Sequence, residues 1–152
     1  MRYQCRISMN TLPLTDLSLE DLLPHRDNMI LVSEVLEVDC KHALTTCRVD
    51  PLWPMADEKG VPSLILVELA AQTAGVCNGW ERIQTKGRDS DPTGWLVGIK
   101  KADFFIEYLP FGGSIVCSAE NINSFENLRE VFCEQHLDNA LIGRITLQLF
   151  QA

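Results

Sequence analysis

The chain has 152 residues, 46% of them hydrophobic and 22% charged, which is enough for one domain with a sizeable core. Its formal net charge of −8 argues against nucleic acid or an anionic membrane as a general partner, because phosphate binding needs a basic surface. None of the six cysteines (Cys5, Cys40, Cys47, Cys77, Cys117, Cys133) forms a Cys-x-x-Cys pair, and no Cys/His cluster has zinc spacing, so no metal site is expected.

In chain order, residues 1–12 carry no clear signal. Thr15–Leu23 predicts a short helix: Ser18 and Asp21 have capping-box spacing, and Pro24 stops it. Met29–Val38 reads as a strand rich in β-branched and apolar residues. Lys41–Val49 alternates, with Ala43, Cys47 and Val49 on one face and His42, Thr46 and Arg48 on the other. These two runs, joined around Asp39-Cys40, predict a hairpin. Asp50–Gly60 is a loop.

Val61 to about Lys86 predicts a long helix, with Pro62 in its first turn. From Val61 to Gly79 the only acidic or basic side chain is Glu68. A helix this apolar on every face is wrapped by other structure, and Ala70, Ala71, Ala74 and Gly75 let that structure approach closely. The run is about long enough to span a membrane, but Glu68, Gln72, Thr73, Asn78 and two glycines mark it as a core helix. Gly87–Gly94 is a polar loop. Four further strands follow: Trp95–Glu107, Ser114–Ile122, Leu128–Leu137 and Ala140–Gln151. The last places Leu141, Ile145, Leu147 and Leu149 on one face and Arg144, Thr146 and Gln148 opposite.

A lone carboxylate in an apolar helix is costly unless it is paired, protonated or used. Gln72, four residues on, shares its face. Glu68 is therefore the candidate acid/base residue, with burial expected to raise its pKa. The alternative is that it surfaces through a gap in the wrapping and is solvated. Gln72 either orients the carboxylate, holds a water or is satisfied by a backbone group. Several cysteines fall at apolar positions, where a free thiol behaves as a small hydrophobe. With no signal peptide in view, this implies a reducing, cytoplasmic setting.

One short helix, two strands, one long apolar helix and four strands predict a single α+β domain over residues 1–152, with a curled antiparallel sheet wrapped around the helix. That is a hot-dog fold, and its sheet edges give a reason to dimerise.

The same segments resemble the 3-hydroxyacyl-(acyl carrier protein) dehydratases of the hot-dog superfamily. Leu22–Val38 is similar to the family's Leu-Pro-His-Arg segment and first strand. Val61–Val76 resembles its central helix, with Glu68 and Gln72 at the Glu-x-x-x-Gln positions. Leu96–Ile115 resembles its third strand and following turn. The closing Thr-Leu-Gln-Leu-Phe-Gln-Ala is similar to a divergent branch from aryl-polyene gene clusters. The resemblance implies a lyase of fatty-acid or polyene-type biosynthesis that takes acyl carrier protein or CoA thioesters and works without a cofactor. It implies a homodimer, or a heterodimer with a related hot-dog subunit. It makes Glu68 the catalytic carboxylate that assists departure of the C3 hydroxyl. Ser63, Gln72 and His25 become candidate substrate-binding residues. Ser63 stands where the family has a glycine whose N–H faces the thioester carbonyl, and it is equally readable as a helix cap. His25 matches a family histidine that is mainly structural.

One departure stands out. The family's catalytic histidine, which removes the C2 proton, precedes the helix in a Gly-His-Phe-Pro segment. Here that region reads DPLWPMADEKGVP and has no histidine. Asp57 and Glu58 are candidate substitute bases there. His42 and His136 read as surface residues. Arg48, Arg88, Lys100, Lys101 and Arg144 are candidates for phosphopantetheine or acidic-carrier contacts. Two rivals remain: a hot-dog thioesterase using Glu68, and a non-catalytic acyl-binding or partner subunit.

Overall fold

The computed structural model describes residues 12–151. A six-stranded antiparallel sheet curls around one long helix. The strands are β1 (Glu34–Val38), β2 (His42–Arg48), β4 (Gly94–Phe104), β6 (Ser114–Phe125), β7 (Leu128–Leu137) and β8 (Ala140–Gln151), in the order β1-β2-β6-β7-β8-β4. A separate two-stranded ladder joins β3 (Val61–Pro62) to β5 (Tyr108–Leu109). The short helix α1 is Leu19–Leu22 and the long helix α2 is Ile65–Lys86. The expected α+β hot-dog architecture is thus present.

The local signals mostly acted as expected. Ser18 and Asp21 form the capping box of α1. The β1–β2 hairpin turns at Asp39, whose Oδ1 accepts from the N–H groups of Lys41 (2.8 Å) and His42 (2.7 Å). Helix α2 stops at Gly87, whose φ of 93° lies in a region that favours glycine, with its N–H donating to the Ile83 carbonyl at 2.9 Å. Side chains of β6, β7 and β8 alternate between the helix and the outside. Cys117, Ala119, Val131, Cys133, Ile145 and Leu147 meet Leu66, Leu69, Ala70 and Ala74 of α2 in the main core. The buried thiols Cys47 and Cys117 are pushed up to about 12 by desolvation, so they serve as packing groups. Cys40 departs from the free-thiol expectation, being disulfide-bonded.

Three boundaries differ from the sequence reading. Pro62 lies outside α2 and pairs with Tyr108 instead. Residues 29–33 precede β1 as irregular chain and a 3-10 turn rather than strand. The expected strand Trp95–Glu107 ends at Phe104 as β4, and the separate β5 follows it at Tyr108. In β8 the pairing slips at Ile142, since Gln135 faces Gly143 while His136 faces Leu141. That irregularity turns Ile142 inward and leaves Leu141 half-buried, so Leu141 does not share the face of Ile145 and Leu147.

Helix α1 crosses α2 at its small residues. A Cβ on Gly79 would sit 2.2 Å from the Leu22 carbonyl oxygen, and one on Gly75 would sit 2.8 Å from Leu23 Cδ2. Alanine is the better helix former, but at Gly79 the backbone of Leu22 would have to retreat. Gly79→Ala is expected to destabilise the protein by about 1–3 kcal/mol. Urea unfolding checks this, and a midpoint at or above wild type would show that α1 does not pack as described.

Candidate functional site

Along α2 the sheet covers every face but one. Leu64, Glu68, Ala71 and Gly75 stay partly or fully accessible, while Leu66, Leu69, Ala70, Thr73 and Ala74 are wholly buried. The spacing of 4, 3 and 4 is one stripe of a helix. It floors a groove of about 150 Å³, roofed by Leu22–His25 on one side and by Trp95, Leu96 and Leu149 on the other.

Glu68 and His25 meet in this groove. His25 Nε2 lies 2.9 Å from Glu68 Oε1, and Gln72 Nε2 donates to the same oxygen at 3.0 Å. The Glu68 side chain is 34% exposed and that of His25 27%. The turn that delivers His25 is built by its neighbours. Pro24 follows the end of α1, and the Arg26 guanidinium donates to the carbonyls of Leu23 (2.8 Å) and His25 (2.7 Å). The Leu-Pro-His-Arg segment is therefore a folding device that sets one imidazole against the helix carboxylate. His25 Nδ1 is buried and has no hydrogen-bond partner among the described residues.

The electrostatics reverse the sequence expectation for Glu68. The hydrogen bond from His25 holds its carboxyl below the usual carboxylate range. Burial pushes the other way, and Gln72 and the charge of His25 add to the lowering. Glu68 is thus an ionised, hydrogen-bonded carboxylate rather than a proton-carrying acid.

Gln72 is wholly buried and spends its amide inside the protein. Its Nε2 donates to the Met29 carbonyl (2.6 Å) as well as to Glu68, and its Oε1 accepts from Leu31 N–H (2.8 Å). It lies outside the groove lining, with its amide directed at Glu68. Ser63 is also spent. Its N–H donates to the Glu107 carbonyl (3.0 Å), and its carbonyl accepts from Leu66 N–H (2.9 Å). The helix cap is Leu64, without a side-chain cap bond. Ser63 closes the joint between β3 and α2; its N–H has no spare capacity for a thioester carbonyl, and the hydroxyl does not cap α2.

The substitute bases are not in the groove. Asp57 and Glu58 are exposed, and Asp57 Oδ1 accepts from Lys59 N–H at 2.8 Å in a tight turn. His42 and His136 sit on β2 and β7, outside the lining. Four of the five candidate cations are paired with acids: Lys100 with Glu130 (2.9 Å), Lys101 with Asp103 (3.6 Å), Arg144 with Glu134 (3.1 Å) and Arg88 with Asp21 (3.7 Å). Among the described residues no group of three or more His, Cys, Asp or Glu could hold a metal ion, and no helix is long and apolar enough to cross a membrane. The sequence reading missed Asn78 and Trp95. Both line the groove, and Asn78 falls on the helical period of Glu68 and Ala71.

The fold has known relatives. One chain of the dehydratase heterocomplex ApeI:P from Xenorhabdus doucetiae superposes with a TM-score of 0.81 at 23% identity, over 90% of this chain and 91% of that one. The virulence protein Cj0977 from Campylobacter jejuni gives 0.64 at 16% identity, over 89% and 96%. A hypothetical thioesterase with coenzyme A from Streptococcus pneumoniae gives 0.57 at 13% identity, over 77% and 83%. At these identities the likeness establishes the hot-dog fold. No match was found among curated proteins. A family model described as ApeP-like, ApeP dehydratase, matches residues 17–152, so the chain belongs to the ApeP-like dehydratase family.

Proposed function

We propose that this dehydratase-like protein takes part in dehydrating 3-hydroxyacyl thioesters, presented on an acyl carrier protein, as one subunit of a hot-dog heterodimer. The observation that carries the reading is the His25–Glu68 pair, held in a groove on the one open stripe of α2.

Dehydration removes a proton from C2, breaks the C3–O bond and returns a proton to the departing oxygen, giving a 2-enoyl thioester and water. It needs a base and an acid. His25 and Glu68 share one proton between Nε2 and Oε1, and we assign them to the C3 oxygen. The ionised carboxylate accepts the hydroxyl's hydrogen bond and orients it, and the imidazolium form of His25 supplies the proton as the bond breaks. The C2 base is the family histidine that this chain lacks. A histidine-bearing hot-dog subunit supplies it, consistent with the solved ApeI:P structure being a heterocomplex. The edge strand β4 suits that partner. Trp95, Val97 and Ile99 are each about half exposed or more, and such an edge is a template for another strand.

An ionised carboxylate beside a thioester also suits water activation, which is the second reading. Its product is a free thiol, not an enoyl thioester.

Mass spectrometry of 3-hydroxyacyl-carrier thioesters, with this protein alone and with a histidine-bearing homologue, tests both readings. Loss of one water only in the mixture, reduced by about 10²-fold or more in Glu68→Gln, is expected. Release of free thiol by the protein alone would favour the thioesterase, and no turnover or binding under any condition would sink the acyl-thioester assignment.

The pair itself is tested by titrating the Glu68 carboxyl by NMR. Removing its principal lowering partner in His25→Ala leaves burial less opposed, so the titration is expected to move up in pH. Because the folded value is depressed, the stability contributed by ionised Glu68 is present above the ordinary glutamate range and is lost as pH falls through the lowered value. An unmoved titration would show that the two side chains do not share a hydrogen bond.

A further inference from the structure

The groove does not end at the reacting pair. It continues along α2 past Ala71 and Gly75 to Asn78 and Gly79. Ten residues of helix separate Glu68 from Asn78, roughly 15 Å along the axis. Of the helix residues that line it beyond Glu68, Asn78 alone has a polar side chain, and it is only 7% exposed.

The orientation of the Asn78 amide is fixed. Its Oδ1 accepts from Asn121 Nδ2 at 3.0 Å and from Arg129 Nη1. Arg129 is itself held by Glu81 at 2.7 Å, and Asn121 Nδ2 also reaches the Cys40 carbonyl at 3.2 Å. Two donors on one atom identify it as the oxygen. The amide NH₂ is left without a hydrogen bond to the described residues, on a residue lining the groove. It is not among the fully buried unpartnered atoms, so it meets water while the groove is open and loses that bond when a ligand displaces the water. An apolar chain end would seal that donor from water without replacing the bond. An oxygen at the chain end would accept from it.

We infer that Asn78 is a specificity-determining residue that selects acyl chains carrying a hydrogen-bond acceptor oxygen at the end remote from the thioester. The inference rests on the acyl-thioester reading and adds to it the chemistry of the chain end.

The test uses non-reactive acyl-pantetheine amides in matched pairs, one ending in a methyl ketone and the other in its all-carbon isostere, with affinity measured by calorimetry on the full chain. Wild type is expected to favour the ketone by about tenfold, the worth of one neutral hydrogen bond. Asn78→Asp keeps the shape but replaces the donor with an acceptor, and should abolish the preference. Asn78→Leu should reverse it. The side-chain amide resonance of Asn78 in the wild type gives a readout independent of variant folding, and should shift with the ketone alone. Binding of both compounds with equal affinity, or a preference that survives both variants, would overturn the role of Asn78 while leaving the acyl-thioester reading intact. Failure of both compounds to bind the wild type would overturn the two together.

Discussion

The structure depends on how an almost wholly apolar helix is covered. Most of α2 would be insoluble if exposed, and a single curled sheet cannot close on itself without a seam. The seam is the stripe through Glu68, Ala71 and Gly75. The chain before β1 is drawn over one side of it by Gln72, which bonds Met29 and Leu31 with three-point geometry deep in the protein. A buried amide carrying that many bonds is worth most when all are made, because each partner left unpaired costs more than the bond itself contributes. The same amide steadies the carboxylate. Covering the core and aiming Glu68 are therefore one interaction.

The seam explains why the electrostatics ran against the sequence reading. A carboxylate in an apolar helix suggests desolvation and a raised pKa, and that logic is sound where the wrapping is complete. Here Glu68 lies where the wrapping parts, and a histidine some forty residues earlier in the chain is folded against it. One hydrogen bond from His25 outweighs partial burial. Leu-Pro-His-Arg contains the residues that build this contact, but nothing in the sequence by itself places the imidazole on the carboxylate rather than in the core.

Much of the fold was legible because local signals agree with the global arrangement. The capping box at Ser18, the Asp39 turn, the Gly87 stop and the two-residue period of β6 and β7 each act within a few residues. Signals that depend on distant pairing were not legible. Pro62 resembles a first-turn proline, yet Val61 is recruited by Leu109 into a ladder that delays the helix. Met29–Ser33 has strand composition, yet its backbone groups are claimed by Gln72 and by Thr46. In β8 the alternation holds from Ile145 on, and the irregularity at Ile142 shifts the phase before it. In the site, Glu68 stood out as the only charge in its stretch. Asn78 did not, because an asparagine in a helix carries no mark until Arg129 and Asn121 are seen to fix its amide.

The outer wall of the groove and the outer edge of the sheet are the same strand. Trp95 and Leu96 roof the stripe on α2, and β4, to which they belong, has an unpaired side in the single chain. Its pairing with β8 is interrupted twice, between Leu96 and Gly98 and between Ile99 and Lys101, so the strand is twisted where it meets the groove. A second hot-dog subunit adding to that edge would cover the exposed apolar side chains and also fix the position of the groove's wall. Assembly and completion of the site are then coupled by geometry alone. The chain itself carries a helix carboxylate and an imidazole in that groove, and no histidine in the segment before its helix.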